Sequence, residues 1–516
     1  MAFYYVGGDR DQMFLLATSM RDWLDEGHLA WFVIDVVETV DTSQFHARHR
    51  NDGAGRAAYH PDMMLALLFY AYGVGMRSSR RIEAACRTDA AFRVICGNVF
   101  PDHATIARFL VNHEQAIEGL FVEVLRLCAA AGLVSLGTIA LDGTKIGTDA
   151  SLDSNRTAGW IRAEASRIIG EALSVDAAEY SGVKPLFDSE ELPSALTTRV
   201  GRLARLDAAL ASIRASEEVE RDGLAKLAVR AAAASEVGRQ LEGRKHRDPR
   251  AALLRAEMDA EAIKVRGERK RAARVELEAA ATEIGRKVLG RKPKLDDRDE
   301  LAAAKKVTDA ARRALAVAGE AHRANIVDPD SRIMKTQKGW VQGYNAQAVV
   351  NELQVVVGHN VTQEGNDKRQ FAPMMAVTRR LLDLAGITVP VEMVLADAGY
   401  WSDANATVEG PDRLIATTKD HVQRRVARQM GTTVGPPNPD MSHIDAMEHR
   451  LRTPQGAARY SMRSHTIEPL FGDLKENRGF RRFRRRGLNA ARSEWALMTL
   501  SHNLAKLFDH QTIITT

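Results

Sequence analysis

The segment Thr138-Ile-Ala-Leu-Asp-Gly-Thr144 is a short apolar run that ends in an acid and a glycine. Such a run is typical of a buried strand, with Asp142 near its C-terminal end. A second run of this kind, Val391-Glu-Met-Val-Leu-Ala-Asp-Ala-Gly-Tyr400, ends in Asp397 and a glycine two residues later. Because sites in open α/β sheets form where strands end, the two acids are predicted to converge although they are far apart in sequence.

The pattern around these two runs predicts further strands and helices. Residues 339–350 and 355–361 have the composition of a strand pair joined by a hairpin, and residues 368–384 have that of a helix. A strand is predicted at residues 414–418 and a last helix around Glu468. This order of elements predicts an α/β layered domain.

Length and composition exclude several classes of protein. The chain has 516 residues, about three domains, and is 45% hydrophobic and 27% charged, which excludes collagen-like, low-complexity and disordered chains. Cys86, Cys96 and Cys128 form no CxxC pair, so we expect a reducing compartment, the cytoplasm, and no structural zinc site. No export signal is expected at the charged N-terminus, and the apolar run 63–76 has the length of a buried helix rather than a membrane span.

The first 130 residues are predicted to form a helical domain. Short helical patterns are separated by tight breaks, and Asp102 has the position of a helix N-cap. This arrangement suits a helix-turn-helix-like DNA-binding domain, and it suits an ordinary helical domain equally well. His46 and His49 lie in a helix-like stretch, where a surface or stacking role is expected rather than a metal site.

Residues 156–324 are predicted to be a long helical insertion. Residues 201–320 contain 29 Ala, 28 Lys and Arg and 21 Asp and Glu, and residues 188–339 contain no aromatic residue, so a conventional core is excluded. Apolar residues follow the heptad spacing of a coiled coil: Leu203, Leu206, Leu210 and Ile213. The insertion is predicted to be broken near residues 243–249 and 290–293. It is interpreted as a solvated helical linker or as an arm that grips DNA or forms a dimer.

The most basic segment of the chain is Arg478-Gly-Phe-Arg-Arg-Phe-Arg-Arg-Arg486, with six Arg and two Phe in nine residues. This composition suits phosphate contacts supported by stacking, and the alternative is a local ion-pair cluster. Nucleic-acid binding is favoured because too few acids lie nearby in the sequence to neutralise six Arg. The predicted DNA-binding residues of this segment are Arg478, Arg481, Arg482 and Arg485.

A third candidate acid, Glu468, lies in a segment with helical spacing. At 100° per residue, Ile467, Leu470 and Leu474 lie on one apolar stripe, and Glu468 and Lys475 lie within about 20° of each other on its flank. A carboxylate and an ammonium group are therefore expected on one exposed edge of a packed helix.

Three carboxylates, Asp142, Asp397 and Glu468, without an accompanying set of Cys or His favour Mg²⁺ or Mn²⁺ over zinc. Two such ions about 3.5–4 Å apart would activate a water or a 3′-hydroxyl and stabilise the leaving oxygen in a phosphoryl displacement. Taken singly, each acid also has a structural interpretation: a turn at Asp142, a strand exit at Asp397 and a surface ion pair at Glu468.

Four motifs that include the three acids stand out together: Leu141-Asp-Gly-Thr-Lys145, Lys338-Gly-Trp-Val-Gln-Gly-Tyr-Asn-Ala-Gln347, Leu395-Ala-Asp-Ala-Gly-Tyr-Trp401 and Glu468-Pro-Leu-Phe-Gly-Asp-Leu-Lys-Glu-Asn-Arg-Gly479. This set resembles the DDE transposases of bacterial insertion sequences, and more narrowly the branch with a Tyr-Arg-Glu-Lys signature around the catalytic Glu. The segments 61–68 and 77–83 resemble the helical domain that precedes the catalytic domain in that family. The resemblance covers about residues 20–150 and 325–500.

The resemblance implies an α+β protein with a ribonuclease-H-like α/β catalytic domain. That domain would comprise residues 131–155 and 325–510, interrupted by the helical insertion 156–324, with a DNA-binding domain at residues 1–130. The implied cofactor is a pair of Mg²⁺ or Mn²⁺ ions, held by the catalytic residues Asp142, Asp397 and Glu468.

By the same resemblance, Tyr460, Arg463 and Lys475 bind or position DNA phosphates near the cut. One spacing departs from the usual signature, which has three residues between Arg and Glu, because four separate Arg463 from Glu468. The six residues between Glu468 and Lys475 are those expected. The long insertion after Asp142 is a second departure from a compact catalytic domain.

The implied activity is transposition. The protein would bind the terminal inverted repeats of its own element, cut by metal-assisted hydrolysis and join the 3′-ends to target DNA. Its partners would be double-stranded DNA at the two ends and the target, which requires at least a homodimer, without a membrane. The expected location is the cytoplasm, at the nucleoid. The alternatives are a catalytically inactive DNA-binding relative and a ribonuclease-H-like nuclease.

Overall fold

The computed structural model describes residues 19–47, 58–179, 198–243, 246, 248–283, 298–318, 322–336, 338–417, 426, 428–431 and 433–515. The chain forms two compact units. Residues 1–152 and 330–516 form the first, and residues 153–329 form the second. In sequence, the second unit is therefore an insertion within the first.

Eight strands lie in the described part of the chain: β1 (Thr138–Gly147), β2 (Asn155–Thr157), β3 (Arg323–Asn325), β4 (Arg332–Thr336), β5 (Gly339–Asn351), β6 (Val356–Thr362), β7 (Met393–Ala396) and β8 (Asp412–Ile415). Six of them form one mixed sheet in the order β4-β5-β1-β7-β8, with β6 paired to β5. The pairs of β5 with β1, β4 and β6 are antiparallel, whereas β7 is parallel to both β1 and β8. The hairpin predicted around residues 351–355 is confirmed.

The helices in the same part of the chain are α1 (Leu29–Thr39), α2 (Ser43–His46), α3 (Pro61–Gly73), α4 (Ser79–Thr88), α5 (Ala90–Ile95), α6 (His103–Asn112), α7 (Glu114–Ala130), α8 (Ala158–Glu179), α9 (Arg199–Glu236), α10 (Pro249–Glu283), α11 (Arg298–Val317), α12 (Phe371–Leu384), α13 (Asp403–Thr407), α14 (His443–Arg452), α15 (Pro454–Thr466), α16 (Glu468–Gly472) and α17 (Leu488–Thr515). Short 3₁₀ turns lie at Met20–Trp23, Leu152–Ser154, Asp367–Arg369 and Ala398–Tyr400, and a π turn lies at Asp473–Asn477.

Strand β1 is longer than its sequence pattern predicts. The apolar run ends at Leu141, but β1 continues to Gly147 because its other edge pairs with β5 as far as Gly343. The parallel pairing of β1 with β7 ends at Leu141 and Ala396, as the pattern suggests. Asp142 therefore lies in the middle of β1, and the prediction that it ends the strand is wrong.

The core of the first unit joins the N-terminal helices to the sheet in one continuous hydrophobic cluster. Helix α17 crosses the sheet, and its buried Trp495 donates a hydrogen bond from Nε1 to the carbonyl of Gln347 at 2.9 Å. Asn503 of the same helix bonds both the amide and the carbonyl of Val356 at 2.8 Å, which satisfies backbone groups of β6. The helices of residues 19–130 thus share their packing with the strands.

The N-terminal helices agree with the sequence pattern at two points. The apolar run after Asp62 forms the buried helix α3, in which ten of thirteen residues are buried. Asp102 caps α6, because its side chain accepts a hydrogen bond from the amide of Thr105 at 2.8 Å. In the described part of the chain, no helix is both long enough and apolar enough to cross a membrane.

The second unit consists mainly of long helices, α8 to α11, with a two-stranded sheet formed by β2 and β3. Leu206 and Ile213 of α9 are buried, and Leu203 and Leu210 pack against the same small cluster, so the predicted heptad face is used for packing. The predicted break near residues 243–249 is confirmed by the end of α9 and the start of α10. The break predicted at residues 290–293 lies outside the described residues.

A buried histidine lies between the sheet and the N-terminal helices. The ring of His359 in β6 packs edge-on against Phe121 of α7, with 4.3 Å between ring centroids, and its Nε2 has no hydrogen-bond partner. Burial disfavours the charged ring and lowers the pKa of His359 to about 4. The fold therefore holds this side chain in its neutral form.

We predict that His359 makes the first unit sensitive to acid. Its folded pKa lies below the unfolded value, so its stabilising effect is complete above about pH 6.5 and is lost as the pH falls towards 4, by roughly 3 kcal/mol. Urea unfolding at several pH values should show a smaller pH dependence in His359→Gln than in the wild type. The exposed His443→Gln should keep the wild-type dependence. Equal slopes for all three proteins would contradict the prediction.

Candidate functional site

Two carboxylates stand side by side where β1 and β7 stop pairing. Leu141 and Ala396 are partners in the parallel register, and the next residues are Asp142 and Asp397. Neighbouring strands are about 4.8 Å apart, so the register brings these acids together. Asp397 also accepts a hydrogen bond from the amide of Gly399 at 2.8 Å and so caps the following 3₁₀ turn. The predicted convergence of the two acids is confirmed.

The environment of Asp142 resists ionisation. Burial, and after it the negative charge of Asp397, raise the pKa of Asp142 to about 6, while Arg463 acts in the opposite direction. A second positive charge at this place would relieve the repulsion between the two carboxylates. The site is therefore suited to binding a cation.

The third acid, Glu468, is joined to Asp142 through one arginine. Nη1 of Arg463 lies 3.0 Å from Oδ2 of Asp142, and its Nη2 lies 3.3 Å from Oε1 of Glu468. Glu468 is the most open of the three acids, with its side chain 57% exposed. The predicted residue Arg463 thus lies between two of the predicted catalytic acids.

A break in the helix accounts for the unusual spacing of Arg463 and Glu468. In one continuous helix, residues five apart would point about 140° away from each other. Here α15 ends at Thr466 and α16 starts at Glu468, with Ile467 between them at a φ of −106° and a ψ of −29°. This break brings Glu468 to 3.3 Å from Arg463 although four residues separate them.

The remaining predicted phosphate contacts surround the same acids. The ammonium group of Lys475 donates a hydrogen bond to Oγ1 of Thr144 in β1, and burial lowers the pKa of Lys475. Lys475 lies in the π turn, so the packed helix predicted around Glu468 is α-helical only as far as Gly472. The hydroxyl of Tyr460 donates to the carbonyl of Ala396 at 3.4 Å, directly before Asp397.

The donor chemistry of the three acids fits a hard divalent cation. All of their ligand atoms are carboxylate oxygens, which Mg²⁺ and Mn²⁺ prefer. Among the described residues, one set of three His, Cys, Asp or Glu ligand atoms lies within 4.8 Å of one another, and it is formed by His46, His60 and Asp62. The ligand atoms of Asp142, Asp397 and Glu468 therefore do not all lie within 4.8 Å of one another, as the ligands of a single ion would. Ligands shared between two ions can lie farther apart.

His46 lies in that other set, on the N-terminal helices. Its Nε2 lies 2.9 Å from Oδ1 of Asp62, and Nδ1 of His60 lies 3.6 Å from the other oxygen. Its ring also packs edge-on against that of His60. His49 lies outside the described residues.

Sequence reasoning missed a fourth carboxylate, Asp367. It follows β6 and begins the 3₁₀ turn before α12. Its carboxylate accepts hydrogen bonds from Lys145 at 3.0 and 3.2 Å, from Asn345 at 2.7 Å and from Gln347 at 2.9 Å. The signal that could have found it is its position, because Asp367 follows a strand and precedes a helix, as site acids in α/β sheets often do.

Two glycines allow Asp367 to approach the acid motifs. A Cβ atom at Gly143 would lie 2.0 Å from Nε2 of Gln347 and 2.8 Å from Oδ1 of Asp367. A Cβ atom at Gly399 would lie 2.9 Å from Oδ1 of Asp397. At either glycine, a larger residue would displace the neighbouring side chains, so the two motifs have glycine where a Cβ atom has too little room.

The arginine-rich segment is partly buried, and acids of the protein pair with its arginines. Arg478 is 9% exposed and pairs with Asp473 at 2.9 Å, and Arg485 pairs with Glu114. Arg481 also pairs with Glu476, and Arg482 and Arg486 lie 3.9 and 3.2 Å from Asp149. Five of the six arginines thus have an acidic partner, so the expectation of too few acids is wrong. The side chains of Arg478 and Arg485 are both largely covered in this structure, at 9% and 16% exposed.

The two phenylalanines of the segment belong to the core. Phe480 stacks on Trp495 and Phe483 packs edge-on against Tyr344, so neither is available to stack on a base. In contrast, the side chains of Arg481 and Arg482 are 54% and 64% exposed. The amide of Phe483 bonds the carbonyl of Gly147 at 2.8 Å and ties the segment to the end of β1.

Two parts of the chain match known families. Residues 18–112 match a family described as Transposase domain (DUF772), and residues 420–508 match one described as Transposase DDE domain. Together the two matches support a DDE-type transposase of an insertion element. The second match contains Glu468 and the basic residues around it, whereas Asp142 and Asp397 lie outside both matched ranges. No curated protein and no solved structure matched this transposase.

We predict that Gly143→Ala destabilises the transposase by about 1–3 kcal/mol, because the added methyl group displaces Gln347 and Asp367. Urea unfolding measures the change. The matched control is Gly119→Ala in the exposed part of α7, where a Cβ meets no atom within 4 Å, and where alanine should stabilise by about 0.5–1 kcal/mol. Similar effects of the two substitutions would show that Gly143 is not constrained by its neighbours.

Proposed function

We propose that this protein binds the terminal inverted repeats of its insertion sequence, cuts the DNA in a metal-dependent reaction and joins the freed 3′-ends to target DNA. The single observation that carries the proposal is the register that puts Asp142 beside Asp397, with Glu468 linked to the pair through Arg463. This acid cluster lies in a chain that matches both transposase families. The mixed sheet, antiparallel from β4 to β1 and parallel from β1 to β8, is compatible with a ribonuclease-H-like catalytic domain.

Asp142, Asp397 and Glu468 are the residues that would hold two Mg²⁺ or Mn²⁺ ions. When bound, such ions activate a water or a 3′-hydroxyl and stabilise the leaving oxygen. The carboxylates must be ionised to bind them, which the raised pKa of Asp142 makes unfavourable below about pH 6. Arg463 holds Asp142 and Glu468 in place until DNA and metal arrive.

The positive side chains around the acids would bind the DNA backbone. Arg463 and Lys475 flank Asp142 on its own face of the sheet, and Tyr460 lies at the carbonyl before Asp397. Charge-assisted hydrogen bonds from such groups position phosphates next to the reacting atoms. We therefore assign the three residues to the DNA strand at the cut, and this agrees with a Tyr-Arg-Glu-Lys signature.

The wider DNA interface would include the exposed half of the arginine segment. Arg481 and Arg482 are open to solvent and attached to the end of β1, the strand that holds Asp142. Arg478 and Arg485 would support this surface from inside. Two transposon ends require two copies of the chain, so we propose a homodimer on DNA, at the nucleoid. The helical insertion would add to the DNA or dimer contacts.

We predict that Asp142→Asn, Asp397→Asn and Glu468→Gln each lower DNA cleavage at least about 100-fold, since even an outer partner of a metal ligand typically contributes 10–100-fold. Binding to a labelled inverted-repeat duplex should persist. Cleavage with Mg²⁺ and gel-shift binding measure the two effects. Asp403→Asn is the control, because this acid lies close to Asp397 in sequence and is 77% exposed.

Three outcomes would contradict the proposal. Full cleavage by any of the three variants removes that acid from the metal site. End binding without Mg²⁺-dependent cleavage in the wild type favours an inactive DNA-binding relative. Equal cleavage of unrelated duplexes favours a ribonuclease-H-like nuclease.

We predict opposite defects for two arginines of the basic segment. Arg482→Ala should weaken DNA binding and lower the slope of log K against log salt by about 1, because one phosphate contact is lost, while unfolding stability stays the same. Arg478→Ala should destabilise the protein by about 2 kcal/mol, because Asp473 loses its shortest ion pair and keeps only its contacts with Asn477 and His502. Salt-titrated binding and urea unfolding separate the two effects. An unchanged slope in Arg482→Ala would remove this residue from the interface.

A further inference from the structure

Asp367 is held at the centre of a network that no predicted role explains. Its side chain is 21% exposed, and Oδ1 accepts from the amide groups of Asn345 and Gln347 as well as from Lys145. Three donors therefore meet at this one oxygen, and Oδ2 also accepts from Lys145 at 3.2 Å. Such a carboxylate is built to hold its neighbours in place rather than to exchange its contacts for a ligand.

The network reaches the turn that carries Asp397. Gln347 donates to Asp367 and accepts a hydrogen bond from the hydroxyl of Tyr400 through its own Oε1. Tyr400 is fully buried and ends the 3₁₀ turn capped by Asp397. A chain of hydrogen bonds therefore connects Asp367 to the position of a proposed metal ligand.

Asp367 lies close to the acid cluster but approaches it from the other face of the sheet. Side chains alternate along β1, so Asp142 and Thr144 lie on one face and Gly143 and Lys145 on the other. A Cβ at Gly399 would lie 2.9 Å from Oδ1 of Asp397 and 3.6 Å from Oδ2 of Asp367, so these two oxygens are at most 6.5 Å apart, the sum of the two distances.

Lys145 is the group whose charge Asp367 controls. Its ammonium group lies 3.0 and 3.2 Å from the two oxygens of Asp367, and its side chain is only 14% exposed. It lies three residues from Asp142 on the same strand. Without the neighbouring carboxylate, this positive charge would repel a divalent cation from Asp142 and Asp397, since charges interact strongly in a partly buried site.

We propose that Asp367 is a positioning residue of the cation site. It holds and neutralises Lys145, and through Gln347 and Tyr400 it fixes the turn of Asp397. This inference rests on the proposed metal-dependent function, and it assigns to Asp367 a role outside the ligand set. Like other outer partners of metal ligands, it acts on affinity without touching the ion.

The test is Mn²⁺ binding to the full chain, measured by calorimetry without DNA. Asp367→Asn keeps the shape and leaves Lys145 uncompensated, so it should raise the Kd for Mn²⁺ about 10-fold or more. The double variant Lys145→Met/Asp367→Asn removes both charges and leaves an amide oxygen at position 367 that can still accept from Gln347, so its Kd should return to within about 3-fold of the wild-type value. Asp383→Asn, an exposed acid of α12, should bind as the wild type does.

The outcomes separate this inference from the proposed function. Wild-type affinity for Mn²⁺ in Asp367→Asn would overturn the positioning role. A double variant that binds Mn²⁺ as weakly as the single variant would also overturn it, because Asp367 would then act as a ligand or as a merely structural group. Should Asp367→Asn fail to fold, Lys145→Met alone serves as the test and should bind Mn²⁺ at least as tightly as the wild type. Weaker binding by that variant would also overturn the inference.

The proposed function itself would be overturned if the wild-type protein bound no Mn²⁺, or if Asp142→Asn bound Mn²⁺ as well as the wild type does.

Discussion

The parallel pairing of β1 with β7 holds two negative charges at neighbouring positions, and the surrounding structure is arranged to balance them. Asp142 and Asp397 follow the last residues that β1 and β7 pair with each other, so neither can move away without breaking the central strands of the sheet. Their repulsion appears as the raised pKa of Asp142. A fold with this constraint needs positive charge nearby, from its own side chains or from a bound ion.

The protein supplies that charge from two elements after the sheet. Arg463 comes from the helix α15, and Lys475 comes from the π turn. Arg463 also contacts Glu468, Lys475 donates to Thr144 of β1, and the charge of Lys145 in β1 is balanced by Asp367. These positive side chains are thus held in place by the protein itself. Charged groups that are positioned in advance stabilise the charge that develops in a transition state.

Sequence predicts those parts of the site that depend on local pattern. The apolar runs locate β1 and β7, and the rule that sites form at strand ends brings Asp142 and Asp397 together. Features that depend on partners distant in sequence are not accessible in this way. The extension of β1 to Gly147 follows from pairing with β5, and the donors around Asp367 come from two strands. The burial of Phe480 follows from packing on Trp495.

The two-stranded sheet of β2 and β3, near the two ends of the insertion in sequence, affects how the chain folds. Strands β1 and β5 pair although about 200 residues separate them, and closing so long a loop is slow and entropically unfavourable. Within the insertion, β2 pairs with β3, Asn155 opposite Asn325, so its two ends are brought together by its own contacts. If the insertion folds first, the effective loop between β1 and β5 becomes short. The insertion then acts as an internal folding aid for the sheet whose strands β1 and β5 it separates in the sequence.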